Sequence, residues 1–217
     1  MKNKASVNYQ KELDGILNKL DEPKKILLHS CCAPCSSYVI EYLSDYMEIT
    51  VIYYNPNITD GLEYLKRKRE QIRFIDILNS TNAVKYPIKL MDCEYNANEF
   101  YNAIRGFEED KEGGDRCYLC YELRLDKTAQ VASEYKFDYY ATTLTISPMK
   151  SALIINEIGS ELAEKYSINW LPSDFKKRNG FKRSIELSKE YNLYRQDYCG
   201  CGFSKLERQH ACMLRDA

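Results

Sequence analysis

Hydrophobic and polar positions alternate in blocks along the chain, and these blocks predict strands and helices in turn. Short apolar runs are typical of buried strands, and they occur at residues 25–30, 47–54, 84–91, 138–145 and 168–171. Helical spacing of apolar residues predicts helices at residues 8–20, 63–79, 97–104, 117–135, 150–166 and 184–191, and one more that opens at Ser36. Strands and helices therefore follow one another as in an α/β protein.

This order predicts a single α/β domain over residues 1–217, with a mainly parallel, Rossmann-like sheet, helices on both faces and an N-terminal helix. Parallel strands need crossover connections, usually helices, and these cover the two faces of the sheet. A length of 217 residues is typical of one such domain. Because ligands of these sheets bind outside the carboxyl ends of the strands, we expect the functional site at that edge.

The charge of the chain is nearly balanced, with 31 basic and 32 acidic residues. A net charge of −1 gives no general attraction to nucleic acid, so any contact with RNA must come from local basic runs. Three such runs lie at residues 66–69, 176–178 and 182–183. Each is either a solvated face or, if it borders the functional site, a set of contacts to RNA phosphates.

The sequence shows no sign of export or membrane insertion. Residues 1–20 carry charges throughout and lack the apolar segment of a signal peptide. No apolar run approaches the length needed to span a bilayer. We therefore expect a cytoplasmic protein that has no membrane partner.

Seven of the nine cysteines form three tight clusters: Cys31-Cys32-x-x-Cys35, Cys117-x-x-Cys120 and Cys199-Gly200-Cys201. A cubane iron–sulfur cluster takes four thiolates. The remaining three thiolates are enough to hold a second metal with an open coordination position, as catalytic metals need. Because the clusters are far apart in sequence, we expect loops at the carboxyl edge of the sheet to assemble one metal site from them.

Two simpler interpretations of the cysteines remain open. Cys32 and Cys35 alone form a C-x-x-C pair, as in redox-active dithiols. Two C-x-x-C pairs are also typical of structural zinc, which would make the chain a zinc-stapled RNA-binding module. Either interpretation leaves at least three clustered cysteines without a role. An odd count in a long chain without an export signal also argues against a disulfide scaffold. Cys93 and Cys212 stand alone and are predicted not to be ligands.

Nucleotide binding is not expected, because the chain lacks both glycine-rich phosphate motifs. This absence also argues against an iron–sulfur tRNA-thiolating enzyme, whose fold is otherwise compatible. His29 ends the first strand and is either a satisfied core histidine or a proton donor. Asp115 precedes the second cysteine cluster and is either a proton donor or a helix cap. We expect Arg195 to contact RNA or substrate.

The chain resembles the QueH-type epoxyqueuosine reductases over almost its whole length. The matching stretches are residues 8–13, 27–35 (LLHSCCAPC), 53–57 (YYNPN), 116–125, 142–148 (TTLTISP) and 194–201 (YRQDYCGC). Their joint occurrence, in order and at compatible spacings, is highly specific. The resemblance implies the last step of queuosine synthesis, in which epoxyqueuosine at the wobble position of a tRNA anticodon loses its epoxide oxygen.

The resemblance also implies the cofactors and their ligands. The family is held to work without cobalamin, using a 4Fe–4S cluster beside a mononuclear iron. Six cysteines match its ligand positions: Cys31, Cys32, Cys117, Cys120, Cys199 and Cys201. Position 35 is Asp in some relatives and Cys in this chain, which would change the potential and Lewis acidity of the second metal.

We expect a particular division of these ligands. Cys32, Cys117, Cys120 and one of Cys199 or Cys201, for which we choose Cys201, would hold the cluster. Cys31, Cys35 and the remaining cysteine of the C-G-C pair would hold the single iron.

The implied reaction sets further expectations. Turning an epoxide into an alkene takes two electrons and two protons and releases water. The electrons would come from an external ferredoxin- or flavodoxin-like donor. The iron would act as a Lewis acid beside Cys31 and Cys35, and His29, Asp115 or a water molecule would supply protons.

Overall fold

The computed structural model describes residues 7–81 and 83–213, in which five parallel strands form one sheet in the order β3-β2-β1-β4-β5. The strands are β1 (Lys24–His29), β2 (Met47–Tyr53), β3 (Lys89–Asp92), β4 (Tyr139–Thr142) and β5 (Asn169–Trp170). The helices are α1 (Tyr9–Leu17), α2 (Ala33–Leu43), α3 (Gly61–Ser80), α4 (Ala97–Ala103), α5 (Asp115–Glu134), α6 (Ala152–Tyr166), α7 (Gly180–Glu190) and α8 (Gly202–Met213). The α/β class with a Rossmann-like parallel sheet is confirmed.

Strand β1 lies at the centre of the sheet, between β2 and β4. Because successive side chains of a strand point to opposite faces, its apolar residues serve two cores. Ile26 and Leu28 belong to the core that includes side chains from α1, α2 and α3, and Leu27 belongs to the core that includes side chains from α5 and α6. All three are fully buried, which explains why the strand is a continuous apolar run rather than an alternating one.

The largest differences between the predicted and the observed strand bounds are at β3 and β4. Strand β3 begins at Lys89, because Pro87 has no amide hydrogen to give to a sheet ladder. Strand β4 ends at Thr142, whose hydroxyl accepts a hydrogen bond from the amide of Leu144 and starts a 3₁₀ turn, Thr143–Ile146. Both differences shorten strands at the sheet periphery or its carboxyl edge and leave the order of elements unchanged.

The helices differ from the prediction mainly in the second half of the chain. Helix α7 begins at Gly180, four residues before the predicted start, and helix α8 follows the last cysteine pair where no helix was predicted. Within this helix only Ser204 is buried, so α8 contributes little to the apolar cores. No helix in the described residues is both long and apolar enough to cross a bilayer.

The contact between α6 and β5 gives a test of the packing. A methyl group added at Gly159 would lie 2.3 Å from Cε2 of Trp170, whose indole is 7% exposed. We predict that Gly159→Ala lowers the free energy of unfolding by about 1–3 kcal/mol, because one of these two elements must shift. Denaturant unfolding followed by circular dichroism measures this.

Gly15→Ala provides the matched control, because Gly15 is exposed on α1 and no atom lies within 4 Å of the added methyl group. We expect this change to raise stability by about 0.5–1 kcal/mol, since alanine favours the helix. Equal effects at the two glycines would contradict the predicted packing.

Candidate metal centre

The first cysteine cluster lies where β1 ends and α2 begins. Cys31 and Cys32 follow the strand after one residue, Cys32 is the N-cap of α2, and Pro34 stands in its first turn. The Sγ atoms of Cys31, Cys32 and Cys35 all lie within 4.8 Å of one another, and those of Cys31 and Cys32 are 3.8 Å apart. Two thiolates on one tetrahedral metal lie about 3.8 Å apart, from metal–sulfur bonds of about 2.3 Å. This β1–α2 group therefore has the spacing of ligands to a single ion.

The three thiols of the β1–α2 group share their protons unequally. Hydrogen bonds from Cys32 and then Cys35 hold the pKa of Cys31 well below its usual range. Burial, followed by the hydrogen bond to Cys31, raises the pKa of Cys32 to about 12. The hydrogen bonds of Cys35 with Cys31 and then with Cys32, followed by burial, raise the pKa of Cys35. One thiolate is thus stabilised by two neutral thiols, and a bound cation is needed to ionise all three.

The other four clustered cysteines form a second group, the C-x-x-C–C-G-C group: Cys117, Cys120, Cys199 and Cys201. Cys117 and Cys120 stand in the first two turns of α5, and the other two flank Gly200 just before α8. All four line one small cavity. Within residues 7–81 and 83–213, only the β1–α2 group brings three ligand atoms within 4.8 Å of one another. The second group is more widely spaced and suits a larger cofactor.

A buried arginine positions the C-G-C segment. Arg67 on α3 is 1% exposed, and its Nη1 donates to the carbonyl oxygen of Cys199 at 3.0 Å. Its Nε donates to Glu63 at 2.6 Å. Gly200 lies in the segment that Arg67 holds and has φ of +133°, a conformation that favours glycine. Glycine at position 200 therefore permits the turn that separates the two cysteines.

Three further groups donate hydrogen bonds to the sulfur atoms. The amides of Gly113 and Ser204 donate to Cys117 and Cys201 at 3.2 and 3.4 Å. The side-chain Nε2 of Gln196 donates to the Sγ of Cys32 at 2.8 Å. Gln196 is not among the predicted site residues, since nothing in its local sequence pattern separates it from a surface glutamine. Its place in the YRQDYCGC stretch was the only available signal.

A cavity of about 690 Å³ opens beside both cysteine groups at the carboxyl edge of the sheet. Cys31, Cys35 and Cys199 contribute to its wall. Its basic residues are Lys111, Arg124, Lys150, Arg195 and Arg208. Cavities of about 300–1,000 Å³ are typical of small-molecule sites. The cysteines therefore face a space that can admit a substrate the size of a nucleoside.

The three basic runs are not part of this cavity wall, as far as the described residues show. The first run does not form one exposed basic surface, because Arg67 is buried and donates a hydrogen bond to the C-G-C segment. Arg178 and Arg183, from the other two runs, form ion pairs with Asp14 and Glu41. The arginines and lysines of the cavity are instead scattered in sequence, so that inspection of basic runs does not find them.

His29 is fully buried, and both of its ring nitrogens have partners. Nε2 lies 3.1 Å from the carbonyl oxygen of Tyr54, which can only accept, so Nε2 carries the proton. Nδ1 then accepts from the hydroxyl of Thr142 at 2.9 Å. Burial, and then the charge of Arg124, lowers the pKa of His29 to about 4. This geometry supports the core-histidine interpretation and gives no support to His29 as a proton donor.

The other singled-out residues are placed as follows. Asp115 is exposed at the first position of α5, and the N-cap is Gly114, so Asp115 is not the helix cap. Arg195 is exposed and lines the cavity, as a contact to RNA or substrate requires.

Cys93 lies in a separate surface pocket beside Tyr64, and Cys212 lies on α8. Neither lone cysteine belongs to either cysteine group.

Comparison with known proteins shows the family to which the chain belongs. A family model described as epoxyqueuosine reductase QueH matches residues 26–207. The chain is 41% identical over 213 residues to the epoxyqueuosine reductase QueH of Staphylococcus epidermidis, which covers 96% of this chain and 88% of the relative. It is 42% identical over 201 residues to that of Streptococcus pyogenes serotype M1, which covers 91% and 78%.

A more distant relative is similar over a comparable length. The chain is 36% identical over 187 residues to the epoxyqueuosine reductase QueH of Thermotoga maritima, which covers 85% of this chain and 92% of the relative. The chain belongs to the QueH family of epoxyqueuosine reductases, which are oxidoreductases of queuosine biosynthesis. The resemblance found in the sequence is confirmed.

Proposed function

We propose that this chain removes the epoxide oxygen of epoxyqueuosine at the wobble position of a tRNA anticodon and so forms queuosine in the cytoplasm. The observation that carries the proposal is the meeting of seven cysteines, in two groups, beside one cavity of about 690 Å³. The reaction breaks both carbon–oxygen bonds of the epoxide, takes up two electrons and two protons, and releases water. A single-stranded anticodon loop can turn one base outward into such a cavity.

The donor set fits iron as the metal. Seven thiols are soft ligands of the kind that hold iron–sulfur clusters and open iron sites. We assign Cys117, Cys120, Cys199 and Cys201 to a 4Fe–4S cluster, and Cys31, Cys32 and Cys35 to a single iron with an open position. When bound, the cluster supplies electrons singly, and the iron supplies a Lewis acid for oxygen. Neither cobalamin nor a nucleotide cofactor is needed.

This division differs from the one expected from the sequence. There, Cys32 was assigned to the cluster, and one cysteine of the C-G-C pair to the single iron. The Sγ distances support moving Cys32, because it lies as close to Cys31 as two ligands of one ion. The shared cavity supports keeping Cys199 and Cys201 together.

Lys150 is the residue that we assign to the substrate oxygen. Lys150 is a half-buried residue of the cavity wall, and no ion pair joins it to a carboxylate among the described residues. Burial opposes its charge, but Cys199 and then Cys31 outweigh this effect and raise the pKa of Lys150. A fixed cation at this place stabilises negative charge that develops on oxygen when the epoxide opens, and Nζ carries a proton that can be given to that oxygen.

Arg195 and Arg208 are the groups that we assign to tRNA. Arg195 is exposed at the cavity, and its Nη1 donates to the hydroxyl of Ser188 at 3.0 Å, which holds the side chain in place. Cations at the mouth of the cavity can pair with the phosphates that flank the everted base. The electrons would come from an external ferredoxin- or flavodoxin-like protein.

The ligand division predicts distinct metal contents for two variants of anaerobically purified protein. Cys120→Ala should lose most iron and sulfide, because the cluster needs four thiolates. Cys32→Ala should lose about one iron of about five per chain and keep its sulfide, because only the open site is affected. Iron and sulfide analysis with a visible spectrum measures both.

Cys93→Ala is the control and should match the unchanged protein. A Cys32→Ala protein that loses its sulfide as well would support the division expected from the sequence.

The function itself predicts conversion of epoxyqueuosine to queuosine when the reconstituted protein is given epoxyqueuosine-containing tRNA and a chemical reductant. Nucleoside analysis by mass spectrometry of the digested tRNA detects the loss of one oxygen atom. Metal-free protein is the control and should give none. Iron- and sulfide-loaded protein that leaves epoxyqueuosine unchanged would reject the proposal, and a chain that takes up one zinc and no sulfide would favour the structural-zinc module.

The two cation assignments predict different kinetic defects. Lys150→Met should lower kcat by about a hundredfold with little change in tRNA affinity, as for loss of one transition-state donor. Arg195→Ala should weaken tRNA binding and reduce its salt dependence by about one unit of slope, as for loss of one phosphate contact.

Arg183→Ala tests whether the loss of any arginine would weaken tRNA binding in the same way. Arg183 is a suitable control because it is paired with Glu41 and does not line the cavity. It should change neither measurement. Interchanged effects, with Lys150→Met weakening binding and Arg195→Ala slowing chemistry, would reverse the assignments.

A further inference from the structure

Arg124 carries a buried charge for which the described residues provide no carboxylate partner. It stands on α5 and is fully buried. Its Nε donates to the carbonyl oxygen of Cys120 at 2.9 Å. Neither Nη1 nor Nη2 has a hydrogen-bond partner within residues 7–81 and 83–213. A guanidinium does not lose its proton in a protein, so the charge cannot be removed by titration.

The other fully buried arginine shows how unusual this is. Arg67 forms an ion pair with Glu63 and donates to two backbone carbonyls, so its charge is compensated inside the protein. An isolated buried charge is strongly unfavourable unless it is paired and hydrogen-bonded. Arg124 instead has a cation–π contact with Tyr121, 5.6 Å from the guanidinium carbon to the ring centroid, and no carboxylate partner in the described residues. Its charge is therefore left to be compensated by the neighbouring thiolates and by what they bind.

The surroundings of Arg124 indicate where this compensating charge would be. The side chain reaches the wall of the large cavity, together with Cys31, Cys35 and Cys199. Burial opposes its charge, but Cys120, Cys199, Cys31 and Tyr121 outweigh this effect and raise the pKa of Arg124. Arg124 thus lies beside both cysteine groups, because its Nε donates to the carbonyl oxygen of Cys120 and its side chain shares the cavity wall with Cys31 and Cys35.

A loaded centre would be anionic. Seven thiolates contribute seven negative charges. One cubane cluster core and one ferrous ion together contribute fewer positive charges, so a net negative charge remains. The seven thiols are all partly or fully buried. The only buried cation without a carboxylate partner in the described residues lies beside them.

We propose that Arg124 is the internal counter-ion of the loaded metal centre, with Nη1 and Nη2 donating charge-assisted hydrogen bonds to its sulfur atoms and raising its reduction potential. The inference rests on the proposed function only in taking the thiols to hold a metal. Arg124 is a positioning residue rather than a catalytic one. A cation beside the centre favours the reduced form, because that form is more negative by one electron.

The test compares Arg124→Met with the unchanged chain in two states, metal-free and loaded with iron and sulfide. Without metal, the variant should melt at or above the unchanged chain, because a buried unpaired charge has been removed. With metal, it should melt below the unchanged chain, because the anionic centre has lost its counter-ion. The gain in Tm on loading therefore shrinks, and the midpoint potential of the centre falls.

Two further variants sharpen the test. Arg105→Met makes the same replacement at an exposed site and should leave both the loading gain and the potential unchanged. Arg124→Lys keeps the charge but not the two-nitrogen fork, and its loading gain and potential should fall between those of Arg124→Met and the unchanged chain. If Arg124→Met does not fold without metal, the potential of loaded Arg124→Lys still decides.

The inference is overturned if Arg124→Met melts lower by the same amount in both states and its potential is unchanged, since that describes a purely structural arginine. Failure of the proposed function looks different: the unchanged chain would take up zinc and no sulfide. The melting comparison then uses zinc, because a zinc–thiolate centre with more than two thiolates is also anionic. If zinc loading raised the Tm of Arg124→Met as much as that of the unchanged chain, the counter-ion role would be overturned for the zinc centre as well.

Discussion

The contact on which the site depends is the one that Arg67 makes between helix α3 and the C-G-C segment. Its guanidinium is buried, pairs with Glu63, and donates to the carbonyl oxygens of Tyr198 and Cys199. A charged donor to a buried carbonyl is worth more than a neutral one, and removing it would leave unpaired groups on both sides. The strand order alone does not bring residues 194–201 back to the edge where β1 ends. Arg67 does so together with the hydrogen bonds that Gln196 donates to Cys32 and Tyr194 donates to Glu63.

The central strand sets the other half of the site. Because β1 is buried on both faces and pairs on both sides, its carboxyl end is among the most constrained points of the sheet. Cys31 and Cys32 follow this end, and Cys35 stands in the first turns of α2. The thiols therefore have little freedom, which suits ligands that must meet one ion at fixed distances. Helix α5 adds Cys117 and Cys120 from its own N-terminal turns.

Charge connects these two halves. Sulfur ligands that ionise on metal binding need compensating cations, and two line the cavity: the fully buried Arg124 and the half-buried Lys150. Their different burial suggests different tasks: Arg124 is held against the carbonyl oxygen of Cys120, and Lys150 is more accessible to a substrate. The neutral, doubly hydrogen-bonded His29 beneath them holds β1 to Thr142 and Tyr54 and leaves the chemistry to other groups.

The sequence by itself determined the α/β class, the strands, most of the helices, the seven clustered cysteines and the family. These follow from apolar periodicity and from spacings within short segments, which are local properties of the chain. The prediction missed helix α8, in which only Ser204 is buried, and it placed the start of β3 too early, before Pro87. Only the tertiary structure decided which cysteines lie together, that Gln196 donates to Cys32, and that Arg124 is buried without a carboxylate partner. These are distances between residues far apart in sequence, and they depend on how the sheet twists and the helices pack, which local spacing does not encode.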